Sequence, residues 1–274
     1  MSSLKDWVKK YRVLNQSLLV IYKLVKAILA IKINAHALQE FSYEWRGEVG
    51  LGEQNLNFYQ NIFKNLLKDQ KLVILDVGAN DGWFSKIVFR FWPLAKIISF
   101  EPLKSMHPYL EILKQQKGTY SYEKIGLGDV NKKFMIKEFG TSGLSSFKQI
   151  HSSYAYDAQF FNQQVNTSYE VDVLTLDDYL MERKIEGDFC LKIDTQGFEM
   201  EVLRGAQKLF ESKRIKVVII ELMTIEKYQG ATLYHEIIGY LEIRGLRLVD
   251  IHNSYYEENG KLSEFDAVFL LVNN

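Results

Sequence analysis

Five acids, Asp76, Glu101, Asp129, Asp194 and Glu221, each close a short run that reads as a strand. Parallel strands present their carboxyl ends together, so these acids are expected around one crevice, where open α/β sheets bind ligands. Unpaired buried carboxylates are costly. The set therefore needs a cationic ligand, protein cations or water. The first run, Leu72 to Val77, is apolar except for Asp76, and Gly78-Ala79-Asn80-Asp81-Gly82 then turns into a helix. A dinucleotide pyrophosphate needs Gly-x-Gly-x-x-Gly with no negative charge nearby. Asn80 and Asp81 stand in the middle of this turn instead. S-adenosylmethionine (SAM) has a sulfonium and an ammonium and no phosphate, and opposite charges about 4 Å apart attract by about 4 kcal/mol at an effective dielectric of 20. A nicotinamide or flavin dinucleotide, or a plain βαβ turn with no ligand, are the alternatives.

With SAM in the crevice, Asp76 suits the amino group, Glu101 the ribose hydroxyls and Asp129 the adenine amino group. Asp129 reads equally well as a polar turn residue. Asp194 and Glu221 are left for the acceptor. Methyl transfer is an in-line displacement at carbon that requires alignment and a group to take the proton of a weak nucleophile. Asp194 is the first candidate base. Glu221 either orients the acceptor, shares a divalent cation with Asp194, or caps the next loop. Lys192, two residues earlier on the same strand face, is the cation that keeps Asp194 ionised, or else one half of a partly buried ion pair. Glu199 and Glu201 fall in the first turn of a helix, where the macrodipole favours acids. The histidines have no metal-ligand spacing and no Cys/His cluster suits zinc, so apart from the divalent cation that Asp194 and Glu221 could share, no metal is predicted. His252, at a strand end, is a reserve base and a candidate substrate contact.

The elements that must position these residues follow a regular rhythm. Leu72 to Val77 and Ile97 to Phe100 are strands around the helix Trp83 to Phe91, and a helix over about Asn55 to Leu67 precedes them. Lys104 to Gln116 is a helix, and Tyr120 to Ile125 a strand ending in Gly126-Leu127-Gly128-Asp129. Between about 132 and 174 the rhythm breaks. Strand-like pieces (Phe134 to Phe139, Ser145 to Ile150, Tyr169 to Leu174) surround a polar aromatic stretch that reads as an insertion or lid. Tyr154 and Tyr156 there are candidates to stack on a substrate, or simply pack the insertion down. After the short helix Leu176 to Met181, alternation resumes with the strand Phe189 to Ile193, the helix Phe198 to Phe210, the strand Val217 to Ile220 and the helix Tyr234 to Ile243. Leu246 to Ile251 and Phe265 to Val272 close the chain as a hairpin. Five strands linked by helices and then a hairpin predict a seven-stranded sheet with an antiparallel last strand.

At 274 residues, 47% hydrophobic and 25% charged, the composition is that of a globular protein with a sizeable core. With 34 Lys plus Arg against 34 Asp plus Glu there is no basic excess, so nucleic acid is not an expected partner. The single cysteine, Cys190, excludes an intramolecular disulfide and suggests a buried thiol in a reducing, cytoplasmic compartment. The amino end, residues 1–45, reads as a separate helical extension ahead of a catalytic domain over 46–274. Leu4 to Leu38 contains no Gly or Pro, and Trp7, Tyr11, Leu14, Leu18, Ile21, Val25 and Ile28 recur at helical spacing, with seven basic residues against one acidic. Its longest uncharged apolar stretch, Val13 to Tyr22, is too short to span a bilayer, and no signal-peptide cleavage site follows it. A helix packed on the catalytic body, a dimerisation helix, or a helix lying on an anionic membrane face all fit.

The ordered motifs ILDVGANDGWFS, SFEP, IGLGD, SGLSSF, VDVLTLDDYL, LKIDTQGFEMEVLRGA and VVIIEL, from about Leu72 to Leu222, resemble the FkbM family of SAM-dependent methyltransferases. The resemblance implies the class I methyltransferase fold, a Rossmann-like, mostly parallel sheet with helices on both faces. Within these motifs the candidate cofactor contacts are Asp76, Gly78, Ala79, Asn80, Asp81, Phe84, Ser85, Glu101, Pro102, Gly128 and Asp129. The family pattern usually has Val-Glu where this chain has Thr195-Gln196. The activity implied is O-methylation of a sugar or sugar-like or polyketide ring, here expected on a polysaccharide or glycoconjugate, with S-adenosylhomocysteine as product. Methylation of another small molecule such as a lipid or amine, a NAD-dependent oxidoreductase, and a non-catalytic SAM-binding module are the rival readings.

Overall fold

The computed structural model describes residues 58–66, 71–139, 142–151, 165–257 and 259–272. The amino-terminal extension and the Tyr154/Tyr156 pair lie outside these residues. Strand β1 (Leu72–Val77) is buried along its whole length, as an apolar run covered on both faces requires. It is followed by helix α1 (Trp83–Phe91), β2 (Lys96–Phe100), α2 (His107–Gln116) and β3 (Tyr120–Glu123). After an insertion come α3 (Leu176–Glu182), β7 (Asp188–Ile193), α4 (Glu199–Arg204), α5 (Gln207–Glu211), β8 (Ile215–Met223), α6 (Tyr234–Ile243), β9 (Leu246–Tyr256) and β10 (Leu262–Leu271). These strands form one seven-stranded sheet in the order β3-β2-β1-β7-β8-β10-β9. Every pairing from β3 to β8 is parallel, and β10 runs antiparallel to both β8 and β9. This is the expected sheet, with its antiparallel last strand slotted between β8 and β9.

Side chains alternate across the sheet. Val73, Leu75 and Val77 of β1 and Leu191 and Ile193 of β7 join Leu176, Leu180, Val202, Leu203, Phe210, Ile237 and Leu241 of α3 to α6 in one core layer. Asp76 and Lys192, paired in register, face the other side. There α1 covers them, with Ser85 Oγ 2.7 Å from Asp76 and the Phe84 ring beneath Lys192. The helical turns over 58–66 lie on α1, where the Phe63 and Phe84 rings are 6.1 Å apart.

The insertion builds a second, three-stranded sheet in the order β4-β6-β5 from β4 (Gly126–Leu127), β5 (Lys132–Phe139) and β6 (Val165–Leu174). Ser145 to Ile150, expected as a strand, makes only isolated bridges, Lys137 with Ser146 and Ile150 with Tyr228. The expected helix Phe198 to Phe210 is broken in two at Gly205-Ala206. A Cβ at Gly205 would lie 2.0 Å from the Gly128 carbonyl oxygen, so close packing onto the β4 turn sets that position. No helix among the described residues is long and apolar enough to cross a membrane.

Candidate active site

The turns after β1 and β7 meet at the carboxyl edge of the sheet. Gly78 has φ +75°, and a Cβ there would stand 1.8 Å from the Asp194 carbonyl oxygen, so only glycine lets the two turns touch. Asn80, with φ +51°, donates its backbone N–H to Glu101 Oε2 at 2.6 Å, and Leu103 N–H donates to Glu101 Oε1 at 2.8 Å. Ser142 Oγ donates to Asn80 Oδ1 at 3.0 Å, which ties the insertion to the same turn. These contacts enclose a cavity with about 640 Å³ of free space, partly open to solvent. One wall is Gly78, Asn80 and Glu101 to Leu103; Gly126, Leu127 and Ile136 form the floor of the insertion side; Ser142 to Phe147 and Asp194 to Gln196 complete it. Among the described residues its lining includes two carboxylates, Glu101 and Asp194, and neither lysine nor arginine. Such a wall repels a pyrophosphate and suits a ligand that carries positive charge and hydroxyls. Burial raises the Glu101 carboxyl to about 7, against the pull of the two backbone N–H groups.

Beneath the cavity lies a charged chain. Lys192 Nζ is 3.4 Å from Asp194 Oδ2, 3.7 Å from Asp76 Oδ1 and 3.2 Å from the Gly78 carbonyl oxygen. Burial works against the Lys192 charge, but Asp194 and Asp76 more than offset it and hold the ammonium above the ordinary lysine range. Lys192 is thus an ion-pair partner to two acids at once. On the other side of Asp194, Gln196 Nε2 donates to Asp194 Oδ1 at 3.0 Å and to Glu221 Oε2 at 2.9 Å. The place between the two carboxylates, where a shared cation was one expectation, is taken by this amide. Burial, followed by the negative charge of Asp194 and Glu264, raises Glu221 well above the usual carboxylate range.

Several expected contacts lie elsewhere. Asp76 is fully buried rather than at the cavity wall; its Oδ2 accepts from Ser85 Oγ and, at 3.3 Å, from Ser99 Oγ. Ser85 and Phe84 are buried under the sheet with it, so these three support the β1 turn from below. Ala79 is buried as well, its N–H donating to the Phe100 carbonyl. Asp81 Oδ1 accepts from Trp83 N–H at 3.1 Å, an Asx turn that leads into α1. Gly128 packs against Phe198, and Asp129 is exposed; the wall there is Gly126 and Leu127, one turn earlier, because β4 ends at Leu127 and the chain leaves the edge. His252 stacks on Phe58, ring centroids 4.2 Å apart, on β9 opposite Asp266. Gly78, Asn80, Glu101, Pro102 and Asp194 line the cavity.

Sequence reading missed Asp266 and Glu264. Both stand at the start of β10, paired with Glu221 and Met223, because an antiparallel strand brings its beginning to the edge where its neighbours end. The signal was present in the alternating Ser263-Glu264-Phe265-Asp266 and needed only the strand direction. Gln196, Ser146 and the apolar wall residues Leu103 and Ile136 were also missed; SGLSSF was visible as a motif, but not that it reaches the turn after β7.

A profile described as the Methyltransferase FkbM domain matches residues 76–248. The 2-O-methyltransferase NoeI of Sinorhizobium fredii is 25% identical over 181 residues, covering 61% of this chain and 69% of that protein. The AMB antimetabolite synthetase AmbE of Pseudomonas aeruginosa is 25% identical over 218 residues, 65% of this chain, although the match spans only 10% of AmbE. Among solved structures, the methyltransferase FkbM from Methylobacillus flagellatus superposes with a TM-score of 0.47 at 15% identity, over 76% of this chain and 47% of that one.

Proposed function

The chain belongs to the FkbM methyltransferase family, and from that premise we propose that it transfers the methyl group of SAM to a hydroxyl of a sugar in a polysaccharide or glycoconjugate. The observation that carries the reading is the position of Asp194, on the wall of a cavity whose described lining holds no lysine, with one oxygen toward Lys192 and the other toward Gln196. When bound, SAM supplies an electrophilic methyl on a sulfonium. Glu101, with lone pairs to spare beside its two backbone donors, suits the ribose hydroxyls; Leu103 and Ile136 suit an apolar ring face. Asn80 and Gly78 hold the turn at that wall. Asp194 then accepts the hydroxyl proton of the acceptor as the oxygen attacks. The name of NoeI, a 2-O-methyltransferase, supports oxygen as the nucleophile. The sugar is supported by the resemblance and by the chemistry of the rim, since carboxylates and an amide bind hydroxyls well.

Two measurements test the proposal. Calorimetry with SAM and with NAD should give binding to SAM alone. A methyl-transfer assay over a panel of glycans, lipids and amines should give product with a glycan, and mass spectrometry of surface glycans from a deletion strain should lack one methyl group. Product only with a lipid or amine would replace the sugar with that acceptor. Binding of SAM without turnover on any acceptor, and an unchanged glycan in the deletion strain, would leave a SAM-binding module. The basic stretch Leu4 to Leu38 supports a further part of the proposal, contact with an anionic membrane face that presents a lipid-linked glycan. Flotation with anionic liposomes should then depend on residues 1–40; no flotation, or flotation without them, removes that part.

A further inference from the structure

Gln196 has a left-handed backbone, φ +54°, and Gly197 after it has φ +96°, so the turn aims the Gln196 side chain back across the strand ends. Its Nε2 donates to Asp194 Oδ1 at 3.0 Å and to Glu221 Oε2 at 2.9 Å, and its Oε1 accepts from Tyr228 OH at 2.9 Å. Its backbone carbonyl accepts from Ser146 Oγ at 2.7 Å. A primary amide has two N–H donors and one carbonyl acceptor, so each polar atom of this side chain is engaged. This orientation gives both acids a donor; turned over, the amide oxygen would face the Asp194 and Glu221 carboxyl oxygens instead.

We infer that Gln196 is a positioning residue for methyl transfer, an uncharged clamp that fixes the Asp194 carboxylate between Lys192 and Glu221 with its free lone pairs toward the cavity. The inference rests on Asp194 as the base. Among the described residues, the groups that face this cluster are Lys192 on β7, Asp76 on β1, Glu221 on β8, Asp266 and Glu264 on β10, Lys227 and Tyr228 after β8, Glu199 at the start of α4, and Tyr59 ahead of β1. Lys227 is paired with Glu264, and Glu199 accepts from Thr195 N–H, Thr195 Oγ1 and Gly197 N–H, so neither is aimed at the two acids. An amide is the fitting side chain because it donates twice and adds no charge. A carboxylate in its place would put a third acid between Asp194 and Glu221, and an alanine would take the amide donor from Asp194 Oδ1 and Glu221 Oε2, leaving Asp194 held by Lys192 on its other oxygen alone.

The test compares wild type, Gln196→Ala and Gln196→Glu, with SAM affinity by calorimetry and turnover across pH 6 to 9. Gln196→Ala should keep SAM affinity within a few-fold and lose about 100-fold in kcat, the scale expected when a reacting group is misplaced by about 1 Å. Gln196→Glu should lose as much at high pH, and its activity relative to wild type should recover as pH falls, because a protonated carboxyl can restore one of the two donated bonds. Its near-identical shape keeps the test open should the alanine variant not fold. Wild-type kcat and pH profile in both variants, or SAM affinity lost in step with kcat, would overturn the inference. A crystal structure of Gln196→Glu separates this from the wider reading. Asp194 and Glu221 unmoved there would remove the clamp whatever the wild type methylates, whereas a wild type that methylates nothing would remove the reading and leave a displaced Asp194 to stand for the clamp.

Discussion

Asp194 divides its two oxygens between a cation and an amide, Lys192 on one and Gln196 on the other. That arrangement leaves lone pairs for an incoming hydroxyl, and it makes Lys192 the residue on which two acids depend. Replacing Lys192 with Met would leave Asp76, fully buried, without its cation, and breaking a buried pair by removing one partner costs about 3–5 kcal/mol. Denaturant unfolding should report that loss; a change under about 1 kcal/mol would mean that the Lys192–Asp76 pair contributes little. Glu101→Ala should act on the cofactor instead, weakening SAM by about 10-fold or more, the scale of one charge-assisted hydrogen bond, with the methyl-transfer step from bound SAM less affected. At this scale the sequence was most informative where a residue ends a parallel strand: Asp194, Glu101 and Lys192 were readable from that position alone. Asp76 misled because the same pattern does not tell whether an acid at a strand end points over the rim or, one residue earlier, into the layer below. Gln196 was passed over because an amide in a turn carries no charge to mark it.

The elements matter through where they touch. β1 and β7 end in turns so close that Gly78 has no room for a Cβ beside Asp194. Gly78→Ala should therefore push the two turns apart, combining a clash with a left-handed backbone that side chains rarely adopt, a strain of about 1–3 kcal/mol before the clash is counted. The expected result is loss of SAM binding together with a lower melting temperature; normal affinity would show that the cavity does not need that contact. The strap Ser142 to Phe147 joins both turns, through Ser142 to Asn80 and through Ser146 to the Gln196 carbonyl. Ser146→Ala removes a bond of about 1 kcal/mol and takes a partner from the half-buried Gln196 carbonyl. A drop in turnover of several-fold with little change in melting temperature is the outcome expected. Strand and helix rhythm was legible because its periodicity is local. The second sheet, the break at Gly205 and the acids of β10 were not, because each depends on a partner far along the chain: Gly205 on Gly128, Asp266 on Glu221.

At the scale of the sheet, the described residues of the rim gather more carboxyl groups than the cations among them can match. Burial raises Glu101 and Asp266 to about 7, from ordinary values of 4.5 and 3.8, and Asp194 adds to the rise at Asp266. A carboxyl whose pKa is higher folded than unfolded binds more protons in the folded state between the two values. Stability of the ligand-free protein should therefore decline as pH climbs from about 4 through 7. SAM brings positive charge to the same rim, so its stabilising effect should grow over that window. Thermal unfolding with and without SAM at pH 6 and pH 8 checks both: the ligand-free melting temperature should be lower at pH 8 and the shift caused by SAM larger. A ligand-free protein more stable at pH 8 would contradict the protonated rim. The most direct test of the central claim is single turnover of enzyme-bound, methyl-labelled SAM on an acceptor glycan, with wild type against Asp194→Asn. Both should bind SAM within a few-fold of each other, and methyl transfer should slow by about 100-fold or more in the variant, the range for removal of a general base. Equal rates, or no SAM bound by either, would contradict it.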